Sequence, residues 1–427
     1  MNLITQPTTG LFIILMSITG AIQAERIVVD TVSDPGAPGE CSLRDAIKSA
    51  NEDPLDLPSA DSSCESGNGP DEIVFTDVPG FGVTPVLLDL VEGLPPITSQ
   101  VTINASIPET RTLPGNPDRR PGVVIQPATI PAFKVVPGFG VLPVWPNGFY
   151  LQGPSASGSE IRGIVIINSG RTSNGCLSPF FNPNPMDATT PDVKFCGVGV
   201  LVFGANNTTI AGNYIGVDQN GLQLPPIPAP IPRFDVAADA STTAIHIIDG
   251  SNTVIGGDHP NDRNVTRSAR VAFGPVSPAA IRIDLFGWAK PAFGAPKATN
   301  HNRILGNYIN VDAEGSQIDI STYGIWHFSE TWPDDTFGSG RYGWGPECVT
   351  SDTEGPDHCE MMGTEIRGNH IVSNATHLDF YGYSRDVVVE DNIFTTTPRR
   401  AFTYILTVAD TPGSRQTPSP GVPVISQ

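Results

Sequence analysis

Apolar and polar positions in this chain recur as a short phrase. It reads Ile210-Ala211-Gly212-Asn213-Tyr214-Ile215, then Ile304-Leu305-Gly306-Asn307-Tyr308-Ile309, Ile366-Arg367-Gly368-Asn369-His370-Ile371 and Val389-Glu390-Asp391-Asn392-Ile393-Phe394. Each copy has an apolar residue three before an Asn and another two after it. A second apolar run usually precedes the phrase, as in Val198 to Gly204, Ala244 to Gly250, Ala280 to Gly287, Tyr323 to Phe328 and His377 to Gly382. Alternating apolar residues in these runs predict period-two strands with one buried face. Val200 to Ile210 is ten residues, Ile245 to Ile255 ten and Leu378 to Val389 eleven, so the unit is strand, polar turn, strand, turn.

A self-similar phrase predicts stacked repeats, with function on an extended side surface. No two-residue Asn-Gly hairpin joins the strands, so each is expected to pair in parallel with its counterpart one coil further on. The shortest interval, Ile366 to Val389, is 23 residues, about one turn of a parallel β-helix. Asn213, Asn307, Asn369 and Asn392 then fall at a shared corner. Each is expected in the left-handed conformation that Gly and Asn tolerate, with its amide bonded to the next coil in a ladder. That role is structural, not catalytic. Asp218 and Asp312 read as turn formers after the strand, with calcium binding the competing role. Val101 to Asn104 and Val123 to Gln126 read as strands of the first coils, and Ile161 to Ile166 matches the phrase with Ile164 in place of Asn. Insertions are expected at about 168–196, 219–243, 259–278 and 329–362. Long loops without structure of their own are uncommon unless functional.

A parallel coil needs a cap over its end. In Cys41-Ser42-Leu43-Arg44-Asp45-Ala46-Ile47-Lys48-Ser49-Ala50-Asn51, residues Leu43, Ala46, Ile47 and Ala50 share one helical face. Ser42 is the expected N-cap, with Asp45 three residues on.

Composition narrows the class. Gly 44 and Pro 42 in 427 residues favour turns over long helices. Lys+Arg 24 against Asp+Glu 44 gives a net charge of −20, which offers no electrostatic footprint for nucleic acid or anionic lipid. Leu11 to Gly20 is apolar and Ala21-Ile22-Gln23-Ala24 ends in a small residue, so 1–24 reads as an export signal, although Met1 to Gly10 has no basic residue. Six cysteines fit an oxidising compartment. Neighbour pairing, Cys41 with Cys64, Cys176 with Cys196 and Cys348 with Cys359, is preferred out of about fifteen possible connectivities. Zinc is the competing reading, and with no C-x-x-C it is weak. The expected organisation is a signal over 1–24, a cap with first strands over 25–100, a parallel β-helix over 101–409 and a disordered tail over 410–427.

The segment Cys-Ser-Leu-Arg-Asp-Ala-Ile, after Ile27-Val28-Val29-Asp30-Thr31, resembles the CSLREA domain of exported bacterial proteins, with Asp45 where that family usually has Glu. The resemblance covers about Ile27 to Phe75. Such domains typically precede right-handed parallel β-helix repeats of the pectin-lyase-like superfamily, and the Gly-Asn-Tyr-Ile-Gly-Val-Asp phrase is similar to those repeats. The resemblance implies an all-β, right-handed parallel β-helix solenoid with a short capping helix and long loop insertions. It brings no agreed activity and no catalytic residues.

Aligning the runs that precede the Asn phrases puts His246, Arg282, Trp326 and Asp379 in one outward column, with Leu201 at its end. Ile248, Asp284, Phe328 and Tyr381 form the next. A slip of one residue would exchange Trp326 for His327. Neighbours about 4.8 Å apart would present an aromatic ring, cations and carboxylates, which suits a sugar chain: the ring stacks on a pyranose face while charges bind hydroxyls or uronates. The competing reading is an ordinary solvated face. A second cluster, His327, Glu330, Trp332, Asp334 and Asp335, has residue types for acid–base hydrolysis or cation binding, against the reading of a polar, disulfide-pinned loop. The Asn-Thr-Asp, Gly-His-Gly, Trp-Ile-Asp-His and Arg-x-Pro-x-x-Arg phrases of polygalacturonase-like and pectate-lyase-like enzymes are absent. The sequence therefore favours an exported, monomeric surface-attachment or glycan-binding protein that is secreted, at the cell surface or periplasmic. It needs no cofactor unless calcium. A polysaccharide lyase or glycoside hydrolase is the alternative.

Overall fold

The computed structural model describes residues 25–51, 63–67, 69–88, 90–126, 132–136, 140–144, 147–167, 198–223, 243–267, 279–285, 299–318, 323–329, 361–373, 376–381, 384–396, 404–409 and 424–425. Their strands fall mainly into three long sheets of ten, eight and seven strands, and every pairing within those three is parallel. A chain that visits three sheets in turn and bonds each strand to its counterpart one circuit later is a parallel β-helix.

Registration explains why the stack holds. In the ten-strand sheet Ile27, Ile73, Ile103, Ile161, Ile210, Ile255, Ile304, Ile366 and Val389 are successive partners. All nine are buried in the bore. Parallel in-register pairing sets like side chains one strand spacing apart, so each isoleucine packs on its copies above and below. Burial of one such side chain contributes about 1.5–3 kcal/mol, and a one-residue slip would turn every isoleucine outward.

The corner after this strand carries the amide file. Asn213 Nδ2 donates to Asn264 Oδ1 (3.2 Å), Asn264 to Asn307 (3.0 Å), Asn307 to Asn369 (3.0 Å) and Asn369 to Asn392 (2.9 Å). Each Nδ2 also donates to an isoleucine carbonyl one rung back, as Asn307 does to Ile255 O at 2.9 Å. Each Oδ1 also accepts a main-chain N–H: Ile164 N–H donates to Asn213, and Asn213 N–H to Asn264. Two expectations are corrected. The left-handed residue is not the Asn but the one before it: Gly212 (φ 64°), Gly306 (φ 63°), Gly368 (φ 66°) and Asp391 (φ 53°). A Cβ on Gly306 would lie 2.5 Å from Gly257 O, so glycine is needed for space as well as for φ. The stretch 259–278 is also not wholly insertion. It holds Asn264, fully buried in the file, and the rung strand Val265–Thr266.

Asp218 Oδ1 accepts from the N–H groups of Asn220 and Leu222, and Asp312 Oδ1 from those of Glu314 and Ser316, so both carboxylates close turns. In 410–427, where disorder is expected, Val424–Ile425 pairs in parallel with Val388 and Val389, because the apolar pair satisfies an open strand edge. The segment 1–24 and Cys176, Cys196, Cys348 and Cys359 lie outside the described residues.

The first rung is closed by the helix Leu43–Asn51, whose Leu43, Ala46, Ile47 and Ala50 are buried in the same core. Ser42 Oγ donates to Asp45 Oδ2 (2.7 Å) and accepts from Asp45 N–H (3.2 Å), which caps the helix. Cys41 and Cys64 are disulfide-bonded. Arg44 reaches Asp34 through Nε and Nη2, both at 2.7 Å, and donates to the carbonyls of Glu92 and Gly93. One guanidinium thus ties the cap to two loops.

Replacing Asn307 with Ala leaves the buried Asn264 main-chain N–H without its acceptor and removes one hydrogen bond each from the Asn264 amide, the Ile255 carbonyl and the Asn369 oxygen. A loss of about 3 kcal/mol is expected in urea denaturation. A variant as stable as the parent would refute a bonded file.

Candidate functional site

The seven-strand sheet puts the sequence-derived columns in register. Tyr150, Leu201, His246, Arg282, Trp326, Asp379 and Thr407 are successive partners. Phe203, Ile248, Asp284, Phe328, Tyr381 and Ala409 form the adjoining column. The one-residue ambiguity resolves with Trp326 beside Arg282 and His327 beside Ile283. For Phe328 and Tyr381 the structure fixes the backbone register alone.

The column is not a solvated outer face. His246 is 5% exposed, Arg282 3% and Asp284 0%. Every residue of Val198–Phe203, Thr243–Ile248 and Ala279–Leu285 is buried, so this sheet is covered on both faces, like a strand in the middle of a layered fold. Trp326 and Asp379 are half-buried, so the column opens towards them.

Side-chain geometry converts the column into a cluster. Asp284 Oδ2 accepts from Arg282 Nε at 2.6 Å and lies 2.7 Å from His246 Nε2, a diagonal contact between neighbouring rungs. Burial holds the His246 imidazole below its ordinary pKa; the Asp284 carboxylate opposes this and the Arg282 charge adds to it. A neutral ring beside a carboxylate places its proton on Nε2, donating to Asp284. The Arg282 guanidinium carbon stands 5.0 Å from the Trp326 ring centre, a cation–π contact. Tyr323, which sequence reasoning did not single out, lies 5.3 Å from the same ring. Arg282 Nη2 and Asp284 Oδ1 are both buried with no hydrogen-bond partner. Asp379 stands one rung beyond Trp326, and burial raises its pKa to about 6.

Of the second predicted cluster only His327 is described. It points into the bore, fully buried, with Thr364 Oγ1 3.0 Å from Nε2 and Ser384 Oγ 3.1 Å from Nδ1. Its ring packs 5.1 Å from Phe380. Burial lowers its pKa to about 3, so it is a neutral core residue. Strand alternation puts it inside because Trp326 is outside. Glu330, Trp332, Asp334 and Asp335 lie outside the described residues. Among the described residues no three or more His, Cys, Asp or Glu side chains are grouped to hold a metal, and no helix is long and apolar enough to cross a membrane.

No family model matches this chain, and neither does any curated protein. Solved structures do. The chain is similar to PfbA, a surface adhesin of Streptococcus pneumoniae, at 12% identity over 79% of this chain and 70% of that one, with a TM-score of 0.37. It is similar to the Dettilon tailspike protein at 12% identity over 76% of this chain, with a TM-score of 0.32; the match spans 44% of the tailspike. DFA-IIIase from Arthrobacter chlorophenolicus A6 matches at 11% identity over 89% of this chain and 73% of that one, with a TM-score of 0.26. At these identities the likeness concerns the winding of the chain alone.

Two titrations follow. The folded pKa of His327 lies below the unfolded value, so its contribution to stability is complete above about pH 6.5. It falls by up to about 1.4 kcal/mol per pH unit as pH drops towards 3. Urea denaturation from pH 8 to 4 should show a steeper decline for the parent than for His327→Gln, and equal slopes would place the ring in water. Asp379 has the opposite sign. Its raised pKa favours folding at low pH, and this is lost as pH rises through about 6. Trp326 fluorescence should titrate near that pH in the parent and not in Asp379→Asn.

Proposed function

We propose that this protein is an exported β-helix of the surface-attachment type that binds a glycan at the open end of the His246–Arg282–Trp326–Asp379 column, on Trp326 and Asp379, with Arg282 and His246 behind them. The observation that carries the reading is the pair of orphaned atoms, Arg282 Nη2 and Asp284 Oδ1, buried beside an aromatic ring. Buried polar atoms are almost always bonded, and an exception calls for an explanation. One free donor next to one free acceptor is the complement of a hydroxyl group, which accepts and donates at once. Half-buried Trp326 supplies a flat apolar surface for a sugar ring, and Asp379 on the next rung supplies a further polar contact. The cap segment's likeness to CSLREA domains and the apolar leader over 1–24 support export.

A second reading rests on Asp379. A carboxyl titrating near 6 is protonated often enough at neutral pH to act as a general acid, and Asp284, held by Arg282, stands as a second carboxyl group on the same face. That combination favours a glycoside hydrolase or polysaccharide lyase acting on the bound chain.

Glycan-array binding of the intact protein tests the first reading. Trp326→Ala should weaken binding at least tenfold, about 1.4 kcal/mol, through loss of stacking. Unchanged binding would remove the column from glycan recognition. Release of new reducing or unsaturated ends from a bound polymer, abolished in Asp379→Asn, would turn the reading from adhesion to catalysis.

A further inference from the structure

A different sheet carries a second polar concavity. Against the outer face of the eight-strand sheet, the antiparallel hairpin Ser106–Pro108/Arg119–Pro121 and the turn Pro260–Asp262 line a shallow cleft open to solvent. Its polar lining includes Arg119, Arg120, Arg263, Tyr214 and Asn261.

The arginines are unusual for their company. The chain carries 44 acidic residues against 24 basic ones, so a guanidinium without a carboxylate partner is the exception to be explained. Neighbouring arginines follow the rule: Arg111 is paired with Glu109 at 2.8 Å and Arg162 with Asp262 at 2.6 Å. Among the described residues no carboxylate lies within ion-pair distance of Arg119, Arg120 or Arg263.

Neutral groups hold all three instead. Arg119 Nη2 donates to Ser106 O at 2.7 Å. Arg263 donates from Nη1 to Pro114 O at 2.7 Å and from Nε to Gly306 O at 3.3 Å, and its guanidinium carbon sits 4.1 Å over the Tyr308 ring. Arg120 Nη2 reaches Val83 O at 3.5 Å, and its Nε is shielded from solvent with no partner. The rim is fixed as well, because Asn261 Oδ1 accepts the N–H groups of Asp118 and Arg119. The Asp118 carboxylate, next to Arg119 in sequence, accepts from the Asn261 amide. Carbonyls and a ring orient these cations without neutralising them, which is how a protein builds a receptor for an anion.

We propose that the cleft binds one oxyanion group, a sulfate or a carboxylate, at the guanidinium ends of Arg119, Arg120 and Arg263. Arginine's planar fork matches two oxygens of such a group at once, and the partly buried setting strengthens each contact. The chain's negative charge repels anions at long range, so binding depends on these three residues and should weaken as salt rises.

The test is calorimetric titration of the intact protein with sodium sulfate, glucuronic acid, and a sulfated disaccharide beside its desulfated form, all at constant ionic strength. Saturable one-to-one binding by sulfate or glucuronate is expected, weakened about tenfold or more in Arg120→Gln and partly restored in Arg120→Lys. Arg119→Gln, a surface change that leaves the fold intact, should weaken it as well. A sulfated disaccharide that binds tenfold tighter than free sulfate would identify a saccharide-borne group, and equal affinity a free ion. No saturable binding by any probe, or equal binding by parent and both glutamine variants, overturns the proposal. Trp326→Ala should leave this binding unchanged, which separates its fate from that of the glycan column.

Discussion

The structure depends on parallel strand pairing in strict register from one circuit to the next. Backbone hydrogen bonds alone would permit a strand to slide. The isoleucine file does not, because a shift of one residue would empty the bore, and the amide file does not, because each asparagine bonds both its neighbours and a carbonyl one rung back. The two files stand three residues apart in four of the five rungs that carry both. One fixes which face is inside, and the other fixes where the chain bends. The spacing between successive asparagines along the chain is 51, 43, 62 and 23 residues, yet the contact between them is the same. The scaffold therefore constrains a few residues per circuit and leaves the rest of each circuit free.

That separation governs where chemistry can be placed. Positions facing away from the bore inherit the register without being needed for it, so His246, Arg282, Trp326 and Asp379 are aligned by the scaffold although they take no part in its central core. The carboxylate of Asp284 links two rungs by holding Arg282 and His246 together, and the stacked Trp326 orients the guanidinium from the other side. The arginine cleft uses a different sheet and a different device: a hairpin leaning on a turn. The two sites have no described residue in common.

The sequence made the winding legible because both files are written in local phrases. Strand, turn and amide recur within a few residues, so Asn213, Asn307, Asn369 and Asn392 align on their local phrase alone. Asn264 could not, because it follows Ile255 by nine residues rather than three. The left-handed corner falls on the residue before the asparagine, Gly or Asp391, since a side chain that bonds across rungs needs its own backbone in ordinary geometry. Register gave the members of the outward column but not their burial, because what covers a sheet is not encoded in that sheet's period. The diagonal bond from His246 to Asp284 and the inward placement of His327 needed rotamers and strand parity as well as alignment. Arg119, Arg120 and Arg263 are scattered over the chain and carry no common phrase, so their meeting was invisible before the fold.

The clamp at Arg44 carries a consequence for how the molecule behaves among its copies. A solenoid of parallel rungs presents unsatisfied donors and acceptors at its first strand, and nothing in the repeat itself distinguishes another circuit of the same molecule from the open edge of a neighbour. The helix and the loops that Arg44 ties to it seal that end with a charged, irregular lid. Arg44 shares that task with the buried helix face and the Cys41–Cys64 bond, so the seal that keeps one molecule's first strand from pairing with a neighbour's open edge is held at three points.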